Sequence, residues 1–128
     1  LKVTGKGDFV GLNVLIYNDP RSAADNIDIA GLGKVHITAP VSGTYQGIAF
    51  YQRRDATNTI TVSGNGKTKI QGAYYLANGT TQFVGNATGD ILATQVVASQ
   101  AAIAGNGQVI IDWIETNVAR TRTIGLVE

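Results

Sequence analysis

The chain of 128 residues contains no cysteine and no methionine, and only two prolines, one tryptophan and one histidine. Without cysteine it has no disulfide, no cysteine-ligated zinc or iron–sulfur site and no thiol nucleophile. The single histidine, His36, cannot form a multi-histidine metal site. It lies between Val35 and Ile37, where strand alternation predicts that it faces solvent. The side chains most often used in metal binding and covalent catalysis are therefore scarce.

Charge is also scarce, and it is nearly balanced. Ten Lys and Arg face nine Asp and Glu, so the net charge is +1, and charged residues make up 15% of the chain. That is well below the usual quarter. No bulk basic field is available to attract nucleic acid. No apolar run reaches the roughly 18 residues of a membrane helix. We therefore expect neither a nucleic-acid partner nor a membrane span.

The length fits a single domain over residues 1–128. The chain opens on Leu1 rather than on methionine, and it shows no signal peptide. We expect the mature form of an exported precursor, with a fragment of a longer protein as the alternative.

A repeated motif, apolar-x-Gly-x-Gly, organises the chain. Its first glycines are Gly5, Gly31, Gly64, Gly85 and Gly105, the copy at Gly85 being looser, and they are separated by 26, 33, 21 and 20 positions. A basic period of about 20 residues is in the range of stacked repeat architectures. The longer gaps indicate insertions near residues 19–25 and 39–46.

Apolar residues alternate on both sides of each motif, which is typical of half-buried strands. Both glycines fall on the apolar phase, so a strand can turn a corner and keep its apolar side inward. The pattern predicts an all-β fold, a parallel β-solenoid (a right-handed β-helix) of about five coils with Gly-x-Gly corners. Residues 116–128 would form a terminal strand or cap. The alternative is an antiparallel β-sandwich of hairpins with turns at Asn65-Gly66 and Asn106-Gly107.

Five segments carry a family resemblance: Gly47–Gln52, Arg54–Ala56, Ile60–Gly66, Ile70–Ala77 and Ile103–Gly107. Together they resemble the C-terminal glycine-rich β-helix region of bacterial tight-adherence (Tad) pilus-associated, TadG-like surface proteins. The likeness covers roughly residues 26 to 115. The resemblance implies a bacterial, extracellular or cell-surface protein with a structural role. The family has no catalytic motif to carry over.

Two groups of side chains are candidates for catalysis or for metal binding. Arg53, Arg54 and Asp55 form the densest ionic cluster, and carboxylates of this kind serve polysaccharide-cleaving enzymes. A solvated loop with local ion pairs is the favoured interpretation. Around Asp8 the chain resembles a calcium-binding nonapeptide repeat, but Lys34 and Lys67 occupy equivalent positions and would repel cations. We predict no catalytic, cofactor-binding or metal-binding residues and no cofactor.

Tyrosines on the outward phase of the strands form a second kind of candidate. Tyr17, Tyr51 and Tyr75 are expected to lie in an aromatic strip on the surface. Such a strip binds sugars or a partner chain.

The ends of the predicted stack expose unpaired strand edges, which natural proteins cap, charge or pair. Head-to-tail contact between such ends builds an open filament or a ring. We expect the protein to be a non-enzymatic, self-associating subunit of an extracellular filament or pilus-like appendage. The alternative is a monomeric β-helix adhesin that binds cell-surface glycans or another surface protein. The predicted self-association residues are Leu1, Val3, Ile103, Val109, Ile111, Trp113, Ile124 and Leu126.

Overall fold

The repeated segments lie beside one another as hydrogen-bonded parallel strands. In the computed structural model, which describes residues 1–115 and Ala119, the apolar residue two positions before each first glycine pairs with its counterpart in the next copy. These paired residues are Val3, Ile29, Val62, Phe83 and Ile103, in that order. The spacing of the glycines in the sequence therefore sets the register of the strands.

Short strands of β-branched and aromatic residues alternate with glycine-rich connections, as strand propensities lead one to expect. The strands of the described residues are β1 Lys2–Val3, β2 Phe9–Gly11, β3 Ile16–Asn18, β4 Ile27–Ile29, β5 Val35–Thr38, β6 Ile48–Gln52, β7 Thr59–Gly64, β8 Thr68–Gln71, β9 Ala73–Gly85, β10 Ile91–Ala93, β11 Gln95–Ala104 and β12 Ile110–Ile111.

Two sheets contain these strands. The larger has seven strands, in the order β1-β4-β7-β9-β6-β3, with β11 also paired to β9. The smaller has five, in the order β12-β10-β8-β5-β2. The long strand β9 pairs β6 through its first part and β7 through its second part. Strand β11 pairs the other side of β9, so the larger sheet has β1 and β3 at one edge and β11 at the other. In the smaller sheet the two edge strands are β2 and β12.

The predicted fold class is wrong. The larger sheet curls as a half-barrel of parallel strands, and the chain is not an all-β solenoid of uniform coils. Strands β9 and β11 run without interruption for 13 and 10 residues, far longer than most of the other strands. The ladder between them has a register shift between Ala98 and Gln100 of β11, where β9 contains the extra residues, and such irregularities bend a strand locally. The antiparallel sandwich is wrong as well, because every ladder among the described residues is parallel.

One apolar core lies between the two sheets. The larger sheet contributes Ile29, Val62 and Phe83, and the smaller sheet contributes Ile37 and Ile70, all buried. Burying each such side chain stabilises the fold by about 1.5–3 kcal/mol relative to exposure. Alternation along the strands places these side chains inward on both sheets, which gives the two sheets a shared interior.

Three aromatic rings pack within that core. The ring centroids of Phe50 and Tyr74 are 4.6 Å apart and stacked, and those of Tyr74 and Phe83 are 5.4 Å apart and edge-to-face. The Tyr74 hydroxyl is buried without a hydrogen-bond partner among the described residues, and burial raises the pKa of Tyr74 well above its usual value. The rings fill the interior where β6 meets β9.

The Gly-x-Gly corners stack closely. A Cβ added at Gly33 would meet the backbone carbonyl of Gly7, so only glycine fits there. The corner amide of Asn65 donates to the carbonyls of Gly31 at 2.7 Å and Gly33 at 2.9 Å. This asparagine therefore ties one corner to the corner of the preceding copy.

Candidate functional site

The predicted self-association residues fall on two opposite edges of the sheets. Leu1 and Val3 lie at the β1 edge. Ile103 is on β11, Ile111 is on β12, and both strands are edges at the other end of their sheets. Val109 and Trp113 flank β12, Val109 half-buried and Trp113 exposed. Ile124 and Leu126 lie outside the described residues. The structure thus separates the described members of the set into two surfaces.

Burial changes abruptly at the β11 edge. Ile29 and Val62 are 0% exposed and Phe83 is 1% exposed, yet Ile103, at the same inward position in the next strand, is 65% exposed. Among the described strands, none pairs beyond β11 to cover this side chain. Val97, an outward residue of the same strand, is exposed too. This end of the core is therefore open in the described part of the chain.

Apart from the register shift between Ala98 and Gln100, no feature of β11 in the described part of the chain discourages pairing with another strand. No described strand pairs with its far side. From Ile91 to Ile111 the sequence contains no Asp, Glu, Lys, Arg or His, and no proline. Natural edge strands are commonly protected by charges, proline or short length. Strand β11, with ten residues, has none of these protections, so it is a template for strand addition.

The opposite edges also expose apolar side chains, next to the exposed Lys2 of β1. Strands β1, β2 and β3 each pair on one side only among the described strands. Leu1, Val10 and Leu12 are exposed there, and Phe9 and Ile16 are half-buried against the core. Both ends of the sheet stack therefore present backbone hydrogen-bonding groups together with apolar side chains.

The three predicted tyrosines form one row across β3, β6 and β9. Tyr17 pairs with Tyr51, and Tyr51 pairs with Tyr75. Their ring centroids are 5.7 Å and 5.1 Å apart, and the second pair is nearly parallel, at 13°. Tyr45, which the sequence did not single out for this row, packs its ring edgewise against Tyr51 at 5.8 Å. The tyrosine row, as we call Tyr17, Tyr51 and Tyr75, ends on Val97 of β11.

Stacking leaves few ring faces free in the tyrosine row. Tyr51 lies between two rings, and Tyr75 is half-buried beside it. Tyr17, at the edge strand, is 54% exposed. A sugar stacks on the face of an aromatic ring, so Tyr17 is the ring of the row with a face available to a ligand.

The ionic cluster forms local ion pairs on the surface. The Arg53 guanidinium donates to Asp55 at 2.6 Å and to Asp19 at 2.7 Å. The hydrogen bond from Arg53 lowers the pKa of Asp55, and the same contacts raise the pKa of Arg53. A lowered pKa disfavours the protonated carboxyl that a glycosidase needs as its general acid. The cluster therefore joins Asp19 to the loop before β7 through surface ion pairs.

A polar depression of 480 Å³ lies beside β1 and β4. Its lining includes Asp25 and Asp28, but the Asp25 carboxylate accepts backbone N–H bonds from Arg21 and Ser22, both at 2.8 Å. These bonds lower the pKa of Asp25. Asp25 thus closes a turn. No group of three or more His, Cys, Asp or Glu side chains in residues 1–115 is arranged to hold a metal ion.

The sequence does not predict the burial of two polar residues, Asp90 and Gln52. Asp90 is fully buried, and its carboxylate accepts backbone N–H bonds from Gly66 at 3.0 Å and Thr68 at 2.9 Å. Gln52 is also fully buried, and it donates to the carbonyls of Ala56 and Asn58. Asp90 follows a glycine as Asp8 does. This shared position is the signal in the sequence, but it does not by itself indicate burial, because Asp8 is exposed.

No protein-family model, no curated protein and no solved structure matches this chain. Among the described residues there is no helix of the length and apolarity needed to cross a membrane.

Proposed function

We propose that this protein is a non-enzymatic structural subunit that associates head-to-tail into a filament or pilus-like appendage. Its contacts are the open sheet edges at β11 and β12 on one side and at β1, β2 and β3 on the other. The resemblance to TadG-like surface proteins suggests a place outside the cell or on a bacterial surface.

The exposure of Ile103 is the observation that supports this function most strongly. Ile29, Val62 and Phe83, at the equivalent position in three other strands, are buried. Ile103 is 65% exposed. A second molecule whose β1 edge covers β11 would bury it as Phe83 is buried. Burial of such a side chain contributes about 1.5–3 kcal/mol.

The two contact surfaces are different, and this decides the kind of assembly. A contact between unlike surfaces leaves one free copy of each surface at the ends, so it propagates into an open filament unless it closes into a ring. Along the path β1-β4-β7-β9-β11, five strands at about 4.8 Å each give an advance of about 24 Å per subunit. Because the larger sheet curls as a half-barrel, this length along the sheet is the upper limit of the axial repeat expected in an electron micrograph.

Sedimentation velocity and negative-stain electron microscopy of three proteins test the proposal. The natural chain should form filaments, and Ile103→Asp should remain monomeric because the charge would be buried in the contact. Val41→Asp is the matched control, since Val41 is 65% exposed like Ile103 but lies between strands β5 and β6. It should assemble normally. A natural chain that stays monomeric at millimolar concentration would refute the proposal, and so would normal assembly of Ile103→Asp.

The tyrosine row favours a second candidate, a monomeric glycan-binding module of the adhesin kind. Its support is the exposed face of Tyr17, which lies two positions before Asp19 in the sequence, and Asp19 forms an ion pair with Arg53. Aromatic faces beside polar side chains are typical of sugar-binding surfaces. Glycan-array binding by the monomer, lost in Tyr17→Ala and retained in Val10→Ala, would favour this candidate. The absence of binding to any glycan would count against it.

A further inference from the structure

We infer that the last Gly-x-Gly corner of one molecule, Gly105–Gly107, is covered by the first corner, Gly5–Gly7, of a second copy. Strand β1 of the second copy then adds in parallel to the Gln100–Ala104 part of β11, and its β2 adds to β12. This inference rests on the proposed head-to-tail assembly and specifies its interface.

The two ladders that meet at this contact have the same number of layers. In the larger sheet, β1, β4, β7, the second part of β9 and the second part of β11 pair in succession, which makes five layers. The smaller sheet also has five, from β2 to β12. A second copy displaced by five layers therefore places its β1 over β11 and its β2 over β12 at the same time.

The third column of strands is one layer shorter in the described part of the chain. It consists of β3, β6, the first part of β9 and the first part of β11. After a displacement of five layers, the width of one strand separates Tyr17 of the second copy from Val97. The terminal strand expected from the sequence in residues 116–128 lies outside the described residues. The inferred contact therefore consists of β1, β2 and the corner between them, without β3.

The first and last corners match in spacing and in backbone conformation. Each has an apolar residue two positions before its first glycine and another two positions after its second, namely Val3 and Phe9 in the first corner and Ile103 and Val109 in the last. The backbone φ is +94° at Gly5 and +97° at Gly105. In this register the core row that ends on Ile103 continues with Val3 of the second copy.

The space beside Gly7 is open within the described part of its own chain. A Cβ added at Gly7 would meet nothing within 4 Å, and Gly7 is not among the glycines with positive φ. At Gly33, one layer further along, an added Cβ would meet the Gly7 carbonyl, and at Gly107 it would meet the backbone of Ala87. In the inferred contact, Gly7 of the second copy meets the backbone of Gly107 in the same way. The missing side chain at Gly7 thus fits a stacked neighbour.

Backbone groups are available for the contact. Inside the fold, the Gly5 carbonyl accepts the N–H of Leu32 in the next corner at 2.6 Å. Gly105 and Lys6 hold the corresponding positions at the inferred contact. The Gly105 carbonyl would therefore accept the Lys6 N–H of the second copy, as strand addition does in general.

The charges do not oppose this occupant. From Ile91 to Ile111 the sequence has no charged residue that the contact would bury. The charged residues of the other surface, Lys2, Lys6 and Asp8, are exposed and lie on the outward phase, so stacking leaves them in solvent. Burial of an unpaired charge would oppose association. A second copy of this chain thus fits by register, shape and charge.

The Gly7→Ala variant tests the stacked corner without disturbing the fold. Its melting temperature should equal that of the natural chain, because the added carbon meets nothing within one molecule. Its critical concentration for filament assembly, measured by pelleting, should rise about tenfold or more, because the methyl group would overpack the contact. The control is Ser42→Thr, which adds one methyl group at an exposed position between β5 and β6. It should assemble like the natural chain.

The absence of cysteine allows a direct test of the register. Lys2 and Ala102 are exposed and lie at the two ends of one outward row of paired residues. Within one molecule they are separated by four strand spacings, about 19 Å along the sheet. That distance is too long for a disulfide, which needs Cα atoms within about 7 Å. After assembly and mild oxidation of Lys2→Cys with Ala102→Cys, we expect a ladder of disulfide-linked dimers, trimers and longer chains on a non-reducing gel.

The matched control is Lys2→Cys with Val97→Cys. Val97 is exposed on the same strand as Ala102. It lies five positions earlier, about 16 Å along the strand, so the inferred register keeps it away from Lys2 of the second copy. This variant should assemble but remain uncrosslinked.

The outcomes separate the inference from the proposed function. Filaments that crosslink through Ala102 and not through Val97, together with weakened assembly of Gly7→Ala, support the inferred contact. Filaments that lack the Ala102 crosslink, that crosslink through Val97, or that form normally from Gly7→Ala overturn the inferred contact and leave the structural function standing. Monomers at all concentrations overturn both, including the case in which the chain's own residues 116–128 occupy the edge of β11.

Discussion

At the scale of single residues, Asp90 shows how a polar side chain can be structural. Its burial is possible because its oxygens are satisfied by backbone N–H groups of the preceding repeat. The sequence places an acidic residue after a glycine at Asp8 and at Asp90, but it does not show which one is buried. That depends on the neighbouring strand some twenty residues away, which local patterns do not report.

Replacing Asp90 by alanine should destabilise the fold by about 2–4 kcal/mol, because the N–H groups of Gly66 and Thr68 lose their acceptor in a buried place. Urea unfolding followed by circular dichroism measures the effect. Asp8→Ala is the control: exposed Asp8 accepts one bond, from the Lys34 N–H, and its loss should cost less than about 1 kcal/mol. Equal costs for the two variants would contradict the structural role assigned to Asp90.

His36 should make stability depend on pH in one narrow window. Burial, followed by the charges of Lys34 and Lys69, lowers the pKa of His36 below its usual 6.5. The unfolded chain therefore binds a proton more readily than the folded chain. Stability should be highest above pH 6.5 and should fall as the pH falls through 6.5 toward the lower folded pKa. No other histidine is present.

The His36→Gln variant supplies the comparison. Its free energy of unfolding, measured in urea between pH 7.5 and 5, should be flatter than that of the natural chain. A natural chain whose stability rises as the pH falls over this range would contradict the lowered pKa.

At the scale of elements, the corners and strands differ in how far the sequence predicts them. The Gly-x-Gly spacing predicts the register, and the alternation around Val62 and Ile70 predicts their burial. The unbroken length of strand β9 is not evident from the sequence, because Asn-Gly, as at Asn78-Gly79, is a dipeptide typical of turns. In the fold, Gly79 leaves room for the Gln52 amide beside it, and the strand continues. Sheet curvature is a property of many strands together, so no single segment encodes it.

The corner glycines offer an element-scale prediction with its own control. Gly33→Ala should cost about 1–3 kcal/mol, because the added methyl group would meet the backbone carbonyl of Gly7. Gly7→Ala should leave stability nearly unchanged, since nothing lies within 4 Å of the added carbon. Thermal unfolding of both variants measures the difference. A tolerated alanine at Gly33 would mean that the two corners are not stacked this closely.

At the scale of the whole molecule, the low net charge and the open sheet edges would both favour association between copies. The net charge is +1 and the sequence pI is 8.2, so long-range repulsion between copies is weak near neutral pH. Strand β11, the proposed contact, contains no charged residue. Association should therefore depend on apolar burial and backbone pairing rather than on ion pairs.

Filament yield should accordingly persist, or increase, when sodium chloride is raised from about 0.1 M to about 1 M. The Debye length falls from about 10 Å to about 3 Å over that range, which would weaken a contact held by exposed charges. Pelleting at several salt concentrations measures the yield. Dissolution of the filaments at high salt would show that charges hold the contact.

The parallel pairing of all described strands has a consequence for how the chain folds. Each strand pairs with one about a repeat away, so no hairpin can form first, and a loop of some twenty residues must close before the first ladder gains a bond. Folding rates fall as contacts become less local, and such topologies fold in milliseconds to seconds. A newly made chain therefore spends that time with unpaired apolar strands. The edge of a molecule that is already folded would shorten this search by offering the first ladder ready-made.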